Sequence, residues 1–199
     1  MISVVIPTLN SEATLVETLS ALVTASAEGI VKEVVIADGG SSDATRAIAD
    51  DTGCHWVSVQ GSRAAQFIEG ADAAQRGAWL MFLEPGTVLE PDWHVKVGRF
   101  IERVDRSGQG DRIAASFRFS LDDYGWQARI TEFAVAIRRK LLGVISSNQG
   151  LLLSRRLYER TGGHSSSSAN ASGDLARRIG RRKVVHLDVR AMQLVVAEG

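Results

Sequence analysis

Asp38 opens the run Asp38-Gly39-Gly40-Ser41-Ser42-Asp43, which sets a carboxylate beside two glycines. A carboxylate accepts hydrogen bonds from a ring N–H or from hydroxyls, and glycines let the backbone come close to a ligand. That chemistry suits a heterocycle or a ribose. The same six residues would serve equally well as a tight turn feeding a helix N-cap. Earlier in the chain, Pro7, Thr8 and Asn10 follow the apolar run Val4-Val5-Ile6, and Val34 to Ala37 lead into Asp38 in the same way. Two such runs, read as neighbouring parallel strands, put all of these residues at strand carboxyl ends, where open parallel sheets bind ligands.

The elements that would position this crevice can be read along the chain. Short apolar runs alternate with longer amphipathic ones, the pattern of an α/β fold with a mostly parallel sheet covered by helices. Val4 to Ile6 are apolar throughout, as in a strand buried on both faces, and Pro7 is expected to end it. Ser11 is expected to cap a helix whose stripe is Thr14, Leu15, Leu19, Leu22 and Val23. Val34 to Ala37 form the second strand, Ser42 or Asp43 caps the next helix, and His55 to Val59 form the third strand. Arg63 to Arg76 are predicted helical with Ala64, Ala65, Ile68 and Ala74 inward, and Trp79 to Leu83 form a fourth strand.

Beyond Pro91 the spacing predicts a helix over 93–104, an edge strand over 113–120 and a long amphipathic stretch over 124–142. The last ends in Arg138, Arg139 and Lys140, either a solvated helix face or a peripheral membrane or acceptor contact. A strand over 149–153, a short helix over 155–161 and a helix over 174–180 follow, with strand at the end over 183–189 and 192–196. Between Gly163 and Asp174 the chain is nearly all Ser, Asn and Ala, which predicts a mobile or disordered loop, or a lid.

Composition narrows the function classes. The 199 residues suffice for one domain with one core, and Lys plus Arg balance Asp plus Glu at 23 each. With no global field, neither nucleic acid nor an anionic membrane is an expected general partner. The single cysteine, Cys54, excludes an internal disulfide and reads as a small core residue. No basic leader and no apolar run of about 20 residues is present, so a cytoplasmic location is expected.

The segments Val4–Asn10, Glu33–Thr45 and Gly61–Thr87 resemble the nucleotide-binding half of the family 2 glycosyltransferases. The resemblance continues through Asn148–Gly163 and Leu175–Arg182, and is closest to a small bacterial subgroup associated with radical-SAM or selenium-related proteins. It implies a GT-A, Rossmann-like fold, with a nucleotide-binding half at 1–90 and an acceptor-side half at 91–199. The implied activity is inverting transfer of a sugar from a nucleoside-diphosphate sugar to an acceptor the sequence does not identify. On that resemblance Pro7 and Thr8 wall the base, Asp38 hydrogen-bonds it, Arg63 reaches base or diphosphate, and Gln149 and Gly150 line the acceptor side. Read from the residue alone, Arg63 is equally a solvated arginine at a helix start.

Three acidic positions of that pattern differ here. A family Asp-X-Asp pair, whose hard oxygens hold a divalent ion against the diphosphate, falls on Glu84-Pro85-Gly86, and Gly86 brings no ligand. Glu84 alone would hold Mg²⁺ or Mn²⁺ weakly, through water. An acidic pair that supplies the catalytic base falls on the stretch Asn170 to Gly173, leaving Asp174 as the acid there, with Glu84 and Asp122 as lesser candidates. Asp174 would also suit a helix first turn for its charge alone. Asn148 replaces an aspartate on the acceptor side. The alternative expectation is therefore a degenerate homologue that binds nucleotide or acts as a scaffold. A nucleotidyltransferase would want a glycine- and lysine-rich phosphate loop, and Pro7-Thr8-Leu9-Asn10 is not one.

Overall fold

The computed structural model describes residues 1–121, 150–166, 168 and 170–194. Among the described residues, eight strands form one sheet, in the order β3-β2-β1-β4-β7-β6-β8-β5. They are β1 (Ile2–Thr8), β2 (Val31–Asp38), β3 (His55–Ser58), β4 (Trp79–Phe82), β5 (Thr87–Leu89), β6 (Ala114–Leu121), β7 (Leu151–Ser154) and β8 (Val184–Gln193). The first four strands pair in parallel, as the alternating pattern predicts. β7 then runs antiparallel to both β4 and β6, β6 is parallel to β8, and β8 is antiparallel to β5.

Helices cover both faces. α1 (Glu12–Ser20), α2 (Val23–Ala27), α3 (Thr45–Asp51) and α5 (Trp93–Arg106) pack on one side; α4 (Arg63–Ala73), α6 (Arg155–Arg160) and α7 (Ala171–Ile179) pack on the other. The alternation of β1 divides the core: Val4 and Ile6 join Leu15, Leu19, Trp93 and Phe100, whereas Val5 joins Phe67, Phe82, Leu157 and Leu175. Each large apolar side chain buried this way contributes about 1.5–3 kcal/mol.

Several elements differ from the sequence expectation for local reasons. β1 continues through Pro7 to Thr8, because Val5 is the last residue of β1 to pair with β4. The Val5 carbonyl accepts from the Leu83 N–H, so alternation turns Pro7 to the same side, past the end of β4, where no N–H is needed. The first helical stripe breaks after Ser20, and Val23 lies on the surface. Strand β6 is not an edge, since β7 and β8 flank it; the edges are β3 and the unforeseen β5. The terminal strand pair is one strand, β8.

The Ser-rich segment is held at both ends rather than free. His164 is 4% exposed, and Ala171 and Ser172 are buried at the start of α7, where the Asn170 side chain accepts from the Gly173 N–H. The stretch over 124–142, with Arg138 to Lys140, and Asp122, Asn148 and Gln149 lie outside the described residues. Among the described residues no helix is long and apolar enough to cross a membrane.

Candidate functional site

Strands β1, β2 and β4 end side by side, and three loops leave from them. Thr8 pairs with Asp38, so the βα loops after β1 and β2 start in register. They are then knitted together. The Asn10 side chain accepts from the Ser42 N–H at 2.9 Å, and its own N–H donates to the Ser41 hydroxyl at 2.8 Å. Asp43 accepts from the Glu12 N–H at 3.0 Å and from the Thr45 N–H at 3.0 Å, while the Glu12 carboxylate accepts from the Ala44 N–H at 2.7 Å. Asp43 thus serves the first turns of α1 and α3 at once. Ser11 stands at the expected cap position of α1, but its side chain makes no cap hydrogen bond.

Asp38 is 2% exposed and is the hub of the second loop. One oxygen accepts from the Thr8 hydroxyl at 2.8 Å and the Ser41 hydroxyl at 2.5 Å; the other accepts from the Gly40 and Ser41 N–H groups at 2.8 and 2.7 Å. Burial by itself would raise its pKa, but the hydrogen bonds from Ser41, Thr8 and Gly40 outweigh it and hold the carboxyl below its ordinary value. The carboxylate is ionised and spent on its own loop.

Helix α4 approaches the same point. Ser62 caps it by accepting from the Ala65 N–H, which places Arg63 at its first turn. Arg63 Nη1 donates to the Pro7 carbonyl at 2.8 Å, and Nη2 lies 3.2 Å from Glu84 Oε2. The Arg63 side chain is 43% exposed beside a nearly buried Glu84. One turn on, buried Gln66 donates to the carbonyls of Thr8 at 2.6 Å and Ala37 at 2.9 Å. A Cβ at Gly39 would stand 2.9 Å from Gln66 Nε2, so the glycine is what lets the loop close over this side chain.

The structure thus gathers Pro7, Thr8, Asn10, Asp38, Gly39, Arg63 and Glu84 at one end of the sheet. Gln66, not singled out from the sequence, belongs to the same group, as do Ser41 and Asp43, which the sequence placed only in the turn and helix cap after Asp38. Gln66 lies on the stripe that carries Phe67, Gly70 and Ala71 inward, so helical spacing would have found it. The predicted inward face of α4 was set slightly off: Ala64 and Ala74 are buried, but Phe67, Gly70 and Ala71 carry the packing.

Asp174 sits in the first turn of α7. Arg177 Nη2 reaches it at 2.6 Å and Arg178 Nε at 2.9 Å, and these bonds lower its pKa, Arg177 first. Nearby, His164 stacks on Phe67 with ring centroids 4.8 Å apart and meets Phe82 edge-on at 4.5 Å. Its Nδ1 lies 3.1 Å from the Tyr158 hydroxyl, while Nε2 is buried with no partner among the described residues. Burial pushes its pKa down to about 3, so the ring is neutral.

The described residues do not fit a divalent metal. Among those described, no three His, Cys, Asp or Glu side chains gather to hold one, and Glu84 is turned to Arg63. Gly86 has φ +83°, and a Cβ there would stand 2.7 Å from Gln193 Nε2. An aspartate at this position would be strained and crowded.

The model of glycosyl transferase family 2 matches residues 3–162. The chain belongs to that family. The match takes in the whole crevice and stops before α7 and Asp174. Among solved structures, glucosyl-3-phosphoglycerate synthase from Mycobacterium tuberculosis in complex with phosphoglyceric acid is similar at 21% identity and TM-score 0.68, over 100% of this chain and 73% of that one. The same enzyme with Mn²⁺, uridine diphosphate and glucosyl-3-phosphoglycerate matches at 20% identity and TM-score 0.67, over 99% and 73%. A crystal structure described as a mycobacterial protein matches at 20% identity and TM-score 0.65, over 100% and 68%. These likenesses show the family's fold, a GT-A-like α/β architecture. No curated protein matches the chain.

Proposed function

We propose that this protein is a glycosyltransferase that takes a sugar from a nucleoside-diphosphate donor and passes it, with inversion, to an acceptor hydroxyl. The observation that carries the reading is the convergence of the Asp38-organised loop, Gln66 and the half-exposed Arg63 at the carboxyl ends of β1, β2 and β4. Asp38 shapes the base-side loop through Thr8 and Ser41, and the backbone around Gly39 and Gly40 borders the base. Arg63 supplies the forked cation for the diphosphate. The mycobacterial relative holds UDP, so UDP is the first base to try.

In the reaction the acceptor oxygen attacks the anomeric carbon on the face opposite the diphosphate. The bond from that carbon to the diphosphate oxygen breaks, and its electron pair leaves with the diphosphate, whose added charge Arg63 stabilises. Asp174 is the candidate base for the acceptor proton. No step is routed through a metal, because no donor set for one gathers among the described residues. Placement in the small bacterial subgroup is supported by the Asn148–Gly163 and Leu175–Arg182 segments.

One observation favours a second reading, retained nucleotide binding without transfer. Asp174 is clasped by Arg177 and Arg178 and held below its ordinary pKa, which makes it a weak base. Release of nucleoside diphosphate from a panel of donors, UDP-glucose first, separates the two. Turnover above the buffer rate supports a transferase; binding of UDP with no release from any donor supports the second reading.

A further inference from the structure

At the other end of the sheet lies a cavity of about 470 Å³ lined by Arg112, Leu157, Arg160, Thr161, Arg178, Ile179 and Lys183. Register fixes its place. Ser154, immediately before α6, pairs with Trp79 at the amino end of β4, and Val184, immediately after Lys183, pairs with Ala114 at the amino end of β6. The donor crevice is at the carboxyl end of β4, roughly 10 Å away along the strand alone.

The charge around this cavity is at odds with the chain as a whole. The protein is neutral, yet Arg155 to Lys183 hold eight cations against Glu159 and Asp174. Two of the lining arginines are already immobilised. Arg160 pairs with Asp111 Oδ2 at 2.7 Å and also bonds the Asp111 carbonyl. Arg178 is held by Asp174 at 2.9 Å and by the carbonyls of Thr161 and Gly163 at 2.5 Å each. Their charge is fixed in place before any ligand arrives, so a ligand need not pay to order them.

The other two cations have donors to spare. Arg112 lies 3.9 Å from Asp111, which already serves Arg160, and among the described residues no carboxylate pairs with Lys183. Four lining cations against Asp111 and Asp174 leave two positive charges unmatched at the cavity. Leu157 and Ile179 are buried beneath them and give it an apolar floor. We propose that this cavity binds a small phosphorylated ligand carrying at least two negative charges, with Lys183 and Arg112 as its hydrogen-bond donors. An ammonium and a forked guanidinium are the pair that recognises phosphate oxygens, and the volume is that of a small-molecule site.

Calorimetric titration with inorganic pyrophosphate at fixed ionic strength tests this. The expected result is one saturable site whose Kd rises about tenfold in Lys183→Gln and about tenfold in Arg112→Gln, each a loss of one charge-assisted hydrogen bond. Both side chains are exposed, and unfolding curves matching the wild type confirm that the variants fold. In Arg63→Gln the site that responds to Lys183→Gln and Arg112→Gln keeps its Kd, whatever pyrophosphate binding at the donor crevice is lost, which keeps the two sites distinct. No saturable binding, binding unchanged in both variants, or loss of the site in Arg63→Gln overturns the proposal. So does binding of vesicles rich in anionic lipid with no response to pyrophosphate, since the patch would then be a membrane surface.

Discussion

The Arg63 guanidinium stands 3.2 Å from the Glu84 carboxylate, tying the first turn of α4 to the loop that leaves β4. That ion pair occupies the place where the sequence pattern anticipates a metal-binding carboxylate pair. On the proposed reading, with Gly86 in the second position, Arg63 would supply the positive charge for the departing diphosphate. On that reading, a diphosphate entering the crevice would compete with Glu84 for the Arg63 guanidinium, which changes what each crevice residue is expected to do on mutation.

Replacing Asp38 with Asn removes an ionised acceptor from four donors. At neutral pH the variant should lose about 2–4 kcal/mol of stability, because buried donors are left poorly matched. The pH dependence has a definite sign. The folded carboxyl titrates below its ordinary value, so its contribution is complete above about pH 4 and disappears as pH falls through the lowered pKa. Urea unfolding of wild type and Asp38→Asn should show the stability gap narrowing below about pH 4.

His164 gives the opposite end of the acid range. Its ring titrates at about 3 in the folded protein, pushed down first by burial and then by Arg178, with Asp174 opposing. The unfolded ring titrates near 6.5, so stability falls by up to about 1.4 kcal/mol per pH unit as pH drops below about 6.5. His164→Phe keeps the stack on Phe67 and removes the orphaned nitrogen. Between pH 7 and pH 5 the wild type should lose about 2 kcal/mol that the variant keeps, measured as the difference in their urea midpoints.

Both ends of this behaviour show what the sequence could and could not reveal. The parallel run β2-β1-β4 was legible because the strand centres, Val4 to Ile6, Val34 to Ala37 and Trp79 to Phe82, are apolar and each is followed by Pro, Gly or a helix cap. The crevice was legible as a place, since Pro7, Thr8 and Asp38 end adjacent strands. Their partnerships were not, because they cross between distant segments: Ser41 with Asn10, Gln66 with Thr8, Arg63 with Glu84. A polar Gln on a buried stripe and one histidine in a serine-rich run carry little weight in composition. Only the packing of Phe67, Phe82 and Tyr158 around His164 makes that segment part of the core.

Asp174→Asn tests the base. Donor binding should stay within about twofold of wild type, since no residue of the crevice touches Asp174, while transfer falls by about 10²–10⁴. Removing Arg177, the larger of the two causes of its lowered pKa, should move the acid limb of the transfer rate to higher pH. Equal transfer by wild type and Asp174→Asn across the pH range would remove Asp174 from the mechanism.

Calorimetry of UDP with wild type and Arg63→Gln, each with and without Mn²⁺, bears most directly on the donor crevice. The crevice described above predicts binding to the wild type with little dependence on Mn²⁺, and weakening by about 10–100-fold in Arg63→Gln, the worth of a forked charge-assisted contact. Binding that requires Mn²⁺ and ignores the Arg63 substitution would contradict it.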